Sequence, residues 1–173
     1  HNGNLTNAKI IRELLEDAGS TFNTSIDSEV IIKMIARKAN GNVEDAIRST
    51  VGAIKGAYAL VILAGNKLVG VRDPYGIRPL CLGINENGDY ILASESCAID
   101  AVGGTLIRDV LPGEMVIIDE NGVKSVKYSE NNKNPESRVK ASGFLMSLIH
   151  TAISVIICPL IYPDLSSSAR KYA

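Results

Sequence analysis

The sequence predicts an α+β protein, because a helical apolar pattern occupies the first part of the chain and an alternating pattern follows it. Apolar residues recur at helical intervals up to about residue 54. From residue 57 onward they fall in short segments of period two, which turn-forming residues separate. Helices followed by an antiparallel meander are typical of the α+β class.

Three helices are predicted in the first part of the chain, over residues 5–17, 27–39 and 42–54. Gly19 ends the first helix, and Asn40-Gly41 ends the second. Asp27 stands at or just before the start of the second helix, where a carboxylate can cap free backbone N–H groups.

Strands and one short helix are predicted in the second part. The strands cover residues 57–64, 68–71, 80–84, 90–93, 106–110, 114–119 and 123–128, and the helix covers residues 96–102. Turns separate them at Gly65-Asn66-Lys67, Asp73-Pro74-Tyr75-Gly76, Asn85-Glu86-Asn87-Gly88, Pro112-Gly113 and Glu120-Asn121-Gly122.

The chain begins His1-Asn2-Gly3-Asn4-Leu5-Thr6-Asn7, which predicts a short polar turn. Such a turn can aim the side-chain amide of Asn2 and the backbone N–H of Gly3 at one point. Two donors aimed in this way form an oxyanion hole. An Asn-Gly pair alone more commonly marks only a turn, and we interpret His1 as a structural hydrogen-bonding residue.

Composition excludes several classes of function. The 173 residues suit one domain with a tail, and 46% of them are apolar. With 18 Lys and Arg against 19 Asp and Glu, the net charge of −1 gives no electrostatic reason to expect nucleic acid. Cys81, Cys97 and Cys158 lack metal-site spacing and indicate buried thiols in a reducing compartment.

Further blocks follow the opening segment in a fixed order, and together they closely resemble the amidophosphoribosyltransferase family over residues 1–130. The blocks are Ile26-Asp27-Ser28-Glu29, Arg72-Asp73-Pro74-Tyr75-Gly76-Ile77-Arg78-Pro79-Leu80, Ala93-Ser94-Glu95-Ser96 and Arg108-Asp109-Val110-Leu111-Pro112-Gly113-Glu114. The resemblance implies part of a class II glutaminase domain. Its fold would be a partial N-terminal-nucleophile hydrolase αββα sandwich with antiparallel sheets.

The resemblance also implies roles for individual residues. In the family a processed N-terminal Cys attacks the glutamine amide, and its own α-amino group is the base. Asn2 (side-chain amide) and Gly3 (backbone N–H) would be the oxyanion-hole donors, and Asp27 would hold the α-ammonium group of glutamine.

Simpler interpretations of these blocks remain open. Asp27 could cap its helix, alone or in addition to binding substrate. The segment from Arg72 to Leu80 is most simply a hairpin with buried ion pairing. Ser94 and Ser96 resemble candidate nucleophiles, but no base adjoins them in sequence, so we expect them to cap the short helix.

The chain also departs from the family pattern, since no Cys precedes Asn2. We therefore expect a fragment that is inactive by itself, whose intact parent forms a thioester on its N-terminal Cys. The parent would pass the ammonia to phosphoribosyl pyrophosphate and make 5-phosphoribosylamine, the first committed step of purine biosynthesis.

The resemblance implies a cytoplasmic, homo-oligomeric parent with Mg²⁺ in its phosphoribosyltransferase domain. One subset of the family also holds an iron–sulfur cluster, but Cys158 lies in no matching motif. For the fragment itself we expect no cofactor.

Residues 131–173 match nothing in the family. Residues 131–140 form a polar linker, and residues 141–161 carry no formal charge over a length that fits a membrane span. We interpret this tail as out-of-frame translation, a divergent linker or, least in keeping with a purine enzyme, a membrane anchor.

Two other functions remain open. One is a different class II glutamine amidotransferase with another ammonia acceptor, although the Asp-Pro-x-Gly-Ile-Arg-Pro-Leu block points away from it. The other is a non-catalytic remnant that binds glutamine or a partner.

Overall fold

The computed structural model describes residues 1–39 and 41–129 in full, and residues 155–158 as a strand. Four helices are present in this part of the chain: α1 (Ala8–Asp17), α2 (Asp27–Lys38), α3 (Val43–Ala53) and α4 (Ser96–Ala101). The strands in chain order are β1 (Asn2–Leu5), β2 (Gly56–Ala64), β3 (Lys67–Arg72), β4 (Cys81–Asn85), β5 (Tyr90–Ala93), β6 (Gly104–Asp109), β7 (Glu114–Asp119), β8 (Gly122–Lys127) and β9 (Val155–Cys158).

These strands form two antiparallel sheets. Sheet A has the order β1-β2-β3-β7-β8, and sheet B has the order β6-β4-β5-β9. Hairpins connect β2 to β3, β4 to β5 and β7 to β8, whereas β3 pairs with β7 across the segment that supplies β4, β5 and β6. The combination of helices and antiparallel sheets confirms the predicted α+β class.

Three hydrophobic clusters show how the layers stack. Helices α2 and α3 pack on one face of sheet A, where Ile47, Val51 and Tyr58 are buried together. The opposite face of sheet A meets sheet B through a second cluster that includes Ala59 and Leu92. Helix α4 covers the far face of sheet B. The layers therefore run helix, sheet, sheet, helix, which confirms the αββα sandwich that the resemblance implied.

The opening segment differs from the prediction. Residues 2–5 form strand β1, which pairs with β2, so the predicted polar turn is wrong. The first helix starts at Ala8 rather than at residue 5, because the buried Leu5 belongs to β1. Two of the four residues of β1 are Asn and one is Gly, and both types have low strand propensity. The strand is therefore recognisable only from its pairing with β2.

The end of the chain is only partly described. The predicted linker at residues 131–140 lies outside the described residues, as do Asn40 and all of residues 141–161 except β9. Strand β9 pairs antiparallel with β5. Within the part of the chain that the structure describes, no helix is long and apolar enough to cross a membrane.

Candidate functional site

Strand β1 presents the backbone of Gly3 at the outer edge of sheet A. In antiparallel strands, pairs that hydrogen-bond to each other alternate with pairs whose backbone groups point apart. Tyr58, the partner of Gly3, turns its carbonyl toward β3, where it accepts from the N–H of Asp73 at 2.9 Å. The Gly3 N–H therefore points away from β2, toward an edge that no described strand covers.

Neighbouring residues confirm this alternation. Leu5, two residues from Gly3, directs its N–H to the same outer side and donates to Oδ2 of Asp27 at 2.7 Å. Thr6, the next residue, points its N–H to the opposite side and donates it to the carbonyl of Lys55 at 2.8 Å. The open edge of β1 thus carries the Gly3 N–H beside the Asp27 carboxylate.

The close approach of β1 to β2 also requires a glycine at position 3. Its φ is 133°, a backbone conformation that other residues rarely adopt. A Cβ at this position would lie 2.0 Å from the carbonyl oxygen of Ala57. Any side chain here would push β1 off the sheet and displace the outward-facing N–H.

Asp27 is the first residue of α2, and Ile26 occupies the N-cap position. No side chain caps this helix, so the interpretation of Asp27 as its cap is wrong. The Asp27 carboxylate instead fastens α2 to β1 through Oδ2, and Oδ1 makes no hydrogen bond to any described residue. One carboxylate oxygen is therefore positioned by the fold, and the other is available to a ligand.

The spacing along this edge suits a short amino acid. Gly3 and Leu5 lie two residues apart, which is about 7 Å along a strand. In an extended glutamine, the four bonds from the side-chain amide carbon to the α-nitrogen span about 5 Å. A glutamine whose amide oxygen meets the Gly3 N–H can therefore place its ammonium group near Asp27.

Asn2 lies on the inner face of β1, between the two sheets. Its pairing partner Ala59 belongs to the cluster that joins sheet A to sheet B. Asn2 and Ser94 line one small cavity of about 110 Å³, together with His1, Ala59, Val61, Pro79 and Leu80. The Asn2 amide makes no hydrogen bond to a described side chain, so its donor and its acceptor are both available.

His1 reaches the N-terminal turn of α2, where its Nδ1 lies 3.2 Å from the hydroxyl of Ser28. This contact fits the structural role expected for His1. Together with the bond between Leu5 and Asp27, it ties both ends of β1 to the start of α2.

A rigid loop after β3 leads to the cavity wall at Pro79 and Leu80. The Asp73 carboxylate is fully buried and accepts the backbone N–H groups of Tyr75, Ile77 and Arg78 at 2.9, 3.2 and 3.0 Å. The Arg72 guanidinium donates to the carbonyls of Gly76, Arg78 and Val110 at 3.0, 2.9 and 2.7 Å. Both side chains bond to backbone groups, so the predicted buried ion pairing is wrong for this loop.

A larger cavity of about 810 Å³ lies elsewhere, lined among others by Asn4, Lys55, Tyr75 and Tyr128. It includes none of the predicted site residues. The three predicted residues instead lie on β1 and at the start of α2, where Asn2 lines the small cavity and Asp27 accepts from the Leu5 N–H.

The buried cysteine of sheet B does not supply a nucleophile. Cys81 is buried in sheet B, and burial raises the pKa of its thiol to about 11, so at neutral pH it stays protonated. Cys97 is exposed, which corrects the expectation that it is buried. The side chain of Cys158 lies outside the described part. Among the described residues, no three or more His, Cys, Asp or Glu side chains form a metal site.

Comparison with known proteins identifies the family. The profile of the glutamine amidotransferase domain matches residues 1–101, which include all three predicted site residues. The chain belongs to the glutamine amidotransferase family. In this glutamine amidotransferase domain, the matched region runs from β1 to the end of α4.

Two sequence relatives of this glutamine amidotransferase domain are amidophosphoribosyltransferases. The Bacillus subtilis (strain 168) protein is 44% identical over 131 residues, which are 76% of this chain and 27% of that protein. Amidophosphoribosyltransferase 1, chloroplastic, from Arabidopsis thaliana is 46% identical over 125 residues, which are 72% of this chain and 22% of the relative. The chain therefore spans about a quarter of the length of these relatives.

A solved structure has the same fold. The B. subtilis glutamine phosphoribosylpyrophosphate amidotransferase in complex with ADP and GMP aligns with a TM-score of 0.72 and 43% identity. The alignment covers 75% of this chain and 28% of that structure.

Proposed function

We propose that this chain is the glutamine-hydrolysing part of an amidophosphoribosyltransferase, with residues 1–130 as the glutaminase unit. From residues 131–173, strand β9 adds to the edge of its sheet B. The observation that supports this most is the open edge of β1. There the Gly3 N–H faces outward, next to a carboxylate that the fold holds at Asp27. The names of the relatives support the identity proposed for the whole enzyme.

Each residue has a defined task in this proposal. When a nucleophile attacks the glutamine amide carbon, the electron pair of the C=O bond moves to oxygen. The Gly3 N–H and the Asn2 side-chain amide donate to that oxygen, and their donation strengthens as the negative charge develops. Oδ1 of Asp27 accepts from the α-ammonium group, which distinguishes an amino acid from a plain amide.

The nucleophile in the proposal is the N-terminal Cys of the family, with its own α-amino group as base. The thiolate sulfur bonds to the amide carbon, the C–N bond breaks, and the amine leaves as ammonia after gaining a proton. Water then cleaves the thioester and releases glutamate. Cys81 is excluded from this role by its burial and raised pKa.

In the whole enzyme, the ammonia would react with phosphoribosyl pyrophosphate and form 5-phosphoribosylamine in the cytoplasm, in a homo-oligomer. Mg²⁺, and an iron–sulfur cluster where the enzyme has one, would belong to other parts of it. The described side chains offer no ligand set that fits either group.

A chimaera tests the proposal. The residues of this chain that match the B. subtilis enzyme replace the corresponding segment of that enzyme, and glutamine hydrolysis is measured. Asp27→Asn keeps an oxygen that can accept from the Leu5 N–H but removes the negative charge. We expect KM for glutamine to rise by about tenfold to a hundredfold, since a hydrogen bond to a charged group is lost.

Asp17→Asn is the matched control, because Asp17 is an exposed aspartate at the end of α1. It should leave KM unchanged. If Asp27→Asn and Asp17→Asn give the same KM in an active chimaera, Asp27 does not bind the substrate ammonium.

A further inference from the structure

Ser94 is a buried hydroxyl that satisfies no structural need of the described fold. It directly follows β5, is only 4% exposed, and its Oγ has no hydrogen-bond partner among the described residues. An unpaired buried hydroxyl costs about 1–3 kcal/mol. A group of this kind calls for an explanation, such as a catalytic role or a bound water.

The two simpler roles predicted for Ser94 do not fit the structure. Glu95 stands at the N-cap position of α4, and no side chain caps that helix. Ser94 makes no hydrogen bond to His1, the one described histidine near it, so no base in the described part of the chain activates its hydroxyl as a nucleophile. Both the capping role and the nucleophile role are therefore excluded.

Ser94 instead faces the cavity that it shares with Asn2. The cavity measures about 110 Å³, and Ala59, Val61, Pro79 and Leu80 give it an apolar wall. Asn2, Ser94 and His1 supply its polar side chains. A water takes about 30 Å³ in the liquid and needs two or more polar partners, so this cavity is large and polar enough for one.

Asn2 needs such a partner if it serves the reaction. A side-chain amide carries a donor and an acceptor at one end, and rotation by 180° exchanges them. The oxyanion requires the Nδ2 donor. A donor that binds Oδ1 from the opposite side would hold the amide in the productive orientation.

We propose that Ser94 is a positioning residue whose hydroxyl, through one water in the shared cavity, donates to Oδ1 of Asn2 and thereby aims Nδ2 at the oxyanion. Bridging water of this kind is nearly as favourable in enthalpy as a direct hydrogen bond. The catalytic role of this water bridge between Ser94 and Asn2 rests on the proposed function. The existence of the bridge does not depend on that function.

The bridge is tested on the complete 173-residue chain by NMR of the Asn2 side-chain NH₂ group, which is assigned by its loss in Asn2→Ala. In Ser94→Ala its signals should move and its hydrogens should exchange with solvent severalfold faster. Thr50→Val is the matched control, because Thr50 is the other buried, unpartnered hydroxyl in the described part. Unchanged Asn2 signals in Ser94→Ala would overturn the proposal.

Kinetics in the chimaera separate this inference from the proposed function. Ser94→Ala should lower kcat for glutamine hydrolysis about tenfold, the effect of one neutral hydrogen bond, and leave KM nearly unchanged. Ser94→Thr, which keeps the hydroxyl, should restore most of the rate, and Thr50→Val should not reduce it. If Ser94→Ala keeps the full rate while Asn2→Ala is slow, the positioning role of Ser94 is rejected and the proposed role of Asn2 stands.

Discussion

At the scale of single residues, Gly3 combines two demands that no other amino acid meets. Its backbone must approach Ala57 closely, and its N–H must stay turned toward the open edge of β1. The same absence of a side chain therefore serves the packing of β1 on β2 and the exposure of the N–H that we propose as an oxyanion donor.

We expect Gly3→Ala to destabilise the chain by about 2–4 kcal/mol, because backbone strain at positive φ adds to a clash with a carbonyl oxygen. Gly19→Ala is the control, since Gly19 has a φ of 86° but open space around its Cβ position. Gly19→Ala should lower the free energy of unfolding by about 1–2 kcal/mol, because only backbone strain contributes. Urea unfolding curves measure both, and equal losses would show that close packing at Gly3 is unimportant.

At the scale of elements, the start of α2 supports the proposed site. The Glu29 carboxylate folds the preceding segment onto the helix by accepting from the Thr24 hydroxyl at 2.6 Å and from the backbone N–H groups of Asn23 and Thr24 at 2.9 and 2.8 Å. These bonds, led by that of the Thr24 hydroxyl, lower the pKa of Glu29 to about 2. Asp27 lies in the same turn and depends on its geometry.

This lowered pKa predicts a pH dependence of stability. The folded state holds Glu29 ionised below its ordinary pKa of 4.5, so its contribution is complete above pH 4.5 and disappears as the pH falls toward 2. The difference in Tm between the unmodified chain and Glu29→Gln should be largest near pH 6 and shrink steadily below pH 4.5. Glu13→Gln, at an exposed position on α1, should show no such trend. A difference in Tm between the unmodified chain and Glu29→Gln that does not change with pH would contradict this role of Glu29.

Elements with a clear periodicity were predictable from the sequence. Strands β5 and β7 have the predicted bounds, and α2 differs by one residue at its end. Strand β1 was not predictable, since its residues carry no alternating apolar pattern and its pairing with β2 spans more than fifty residues of sequence. The bond from the Leu5 N–H to Asp27 was missed for the same reason.

At the scale of the whole molecule, the proposed site draws its residues from several layers of the sandwich. Sheet A supplies Asn2 and Gly3, the helical layer supplies Asp27, and the segment after a strand of sheet B supplies Ser94. The family resemblance allowed the first three to be named from sequence. Ser94 could not be placed from sequence, because its burial and its cavity exist only once the two sheets are stacked.

The most direct test of the proposed site is the rate of glutamine hydrolysis by the chimaera with Asn2→Ala. Asn4→Ala is the matched control, since Asn4 is the same residue type, two positions along the same strand. Loss of one oxyanion donor should lower kcat for Asn2→Ala by about 10²–10³-fold. Asn4→Ala should stay within a few-fold of the unmodified chimaera. Equal rates for the two variants would contradict the assignment of Asn2 to the oxyanion hole.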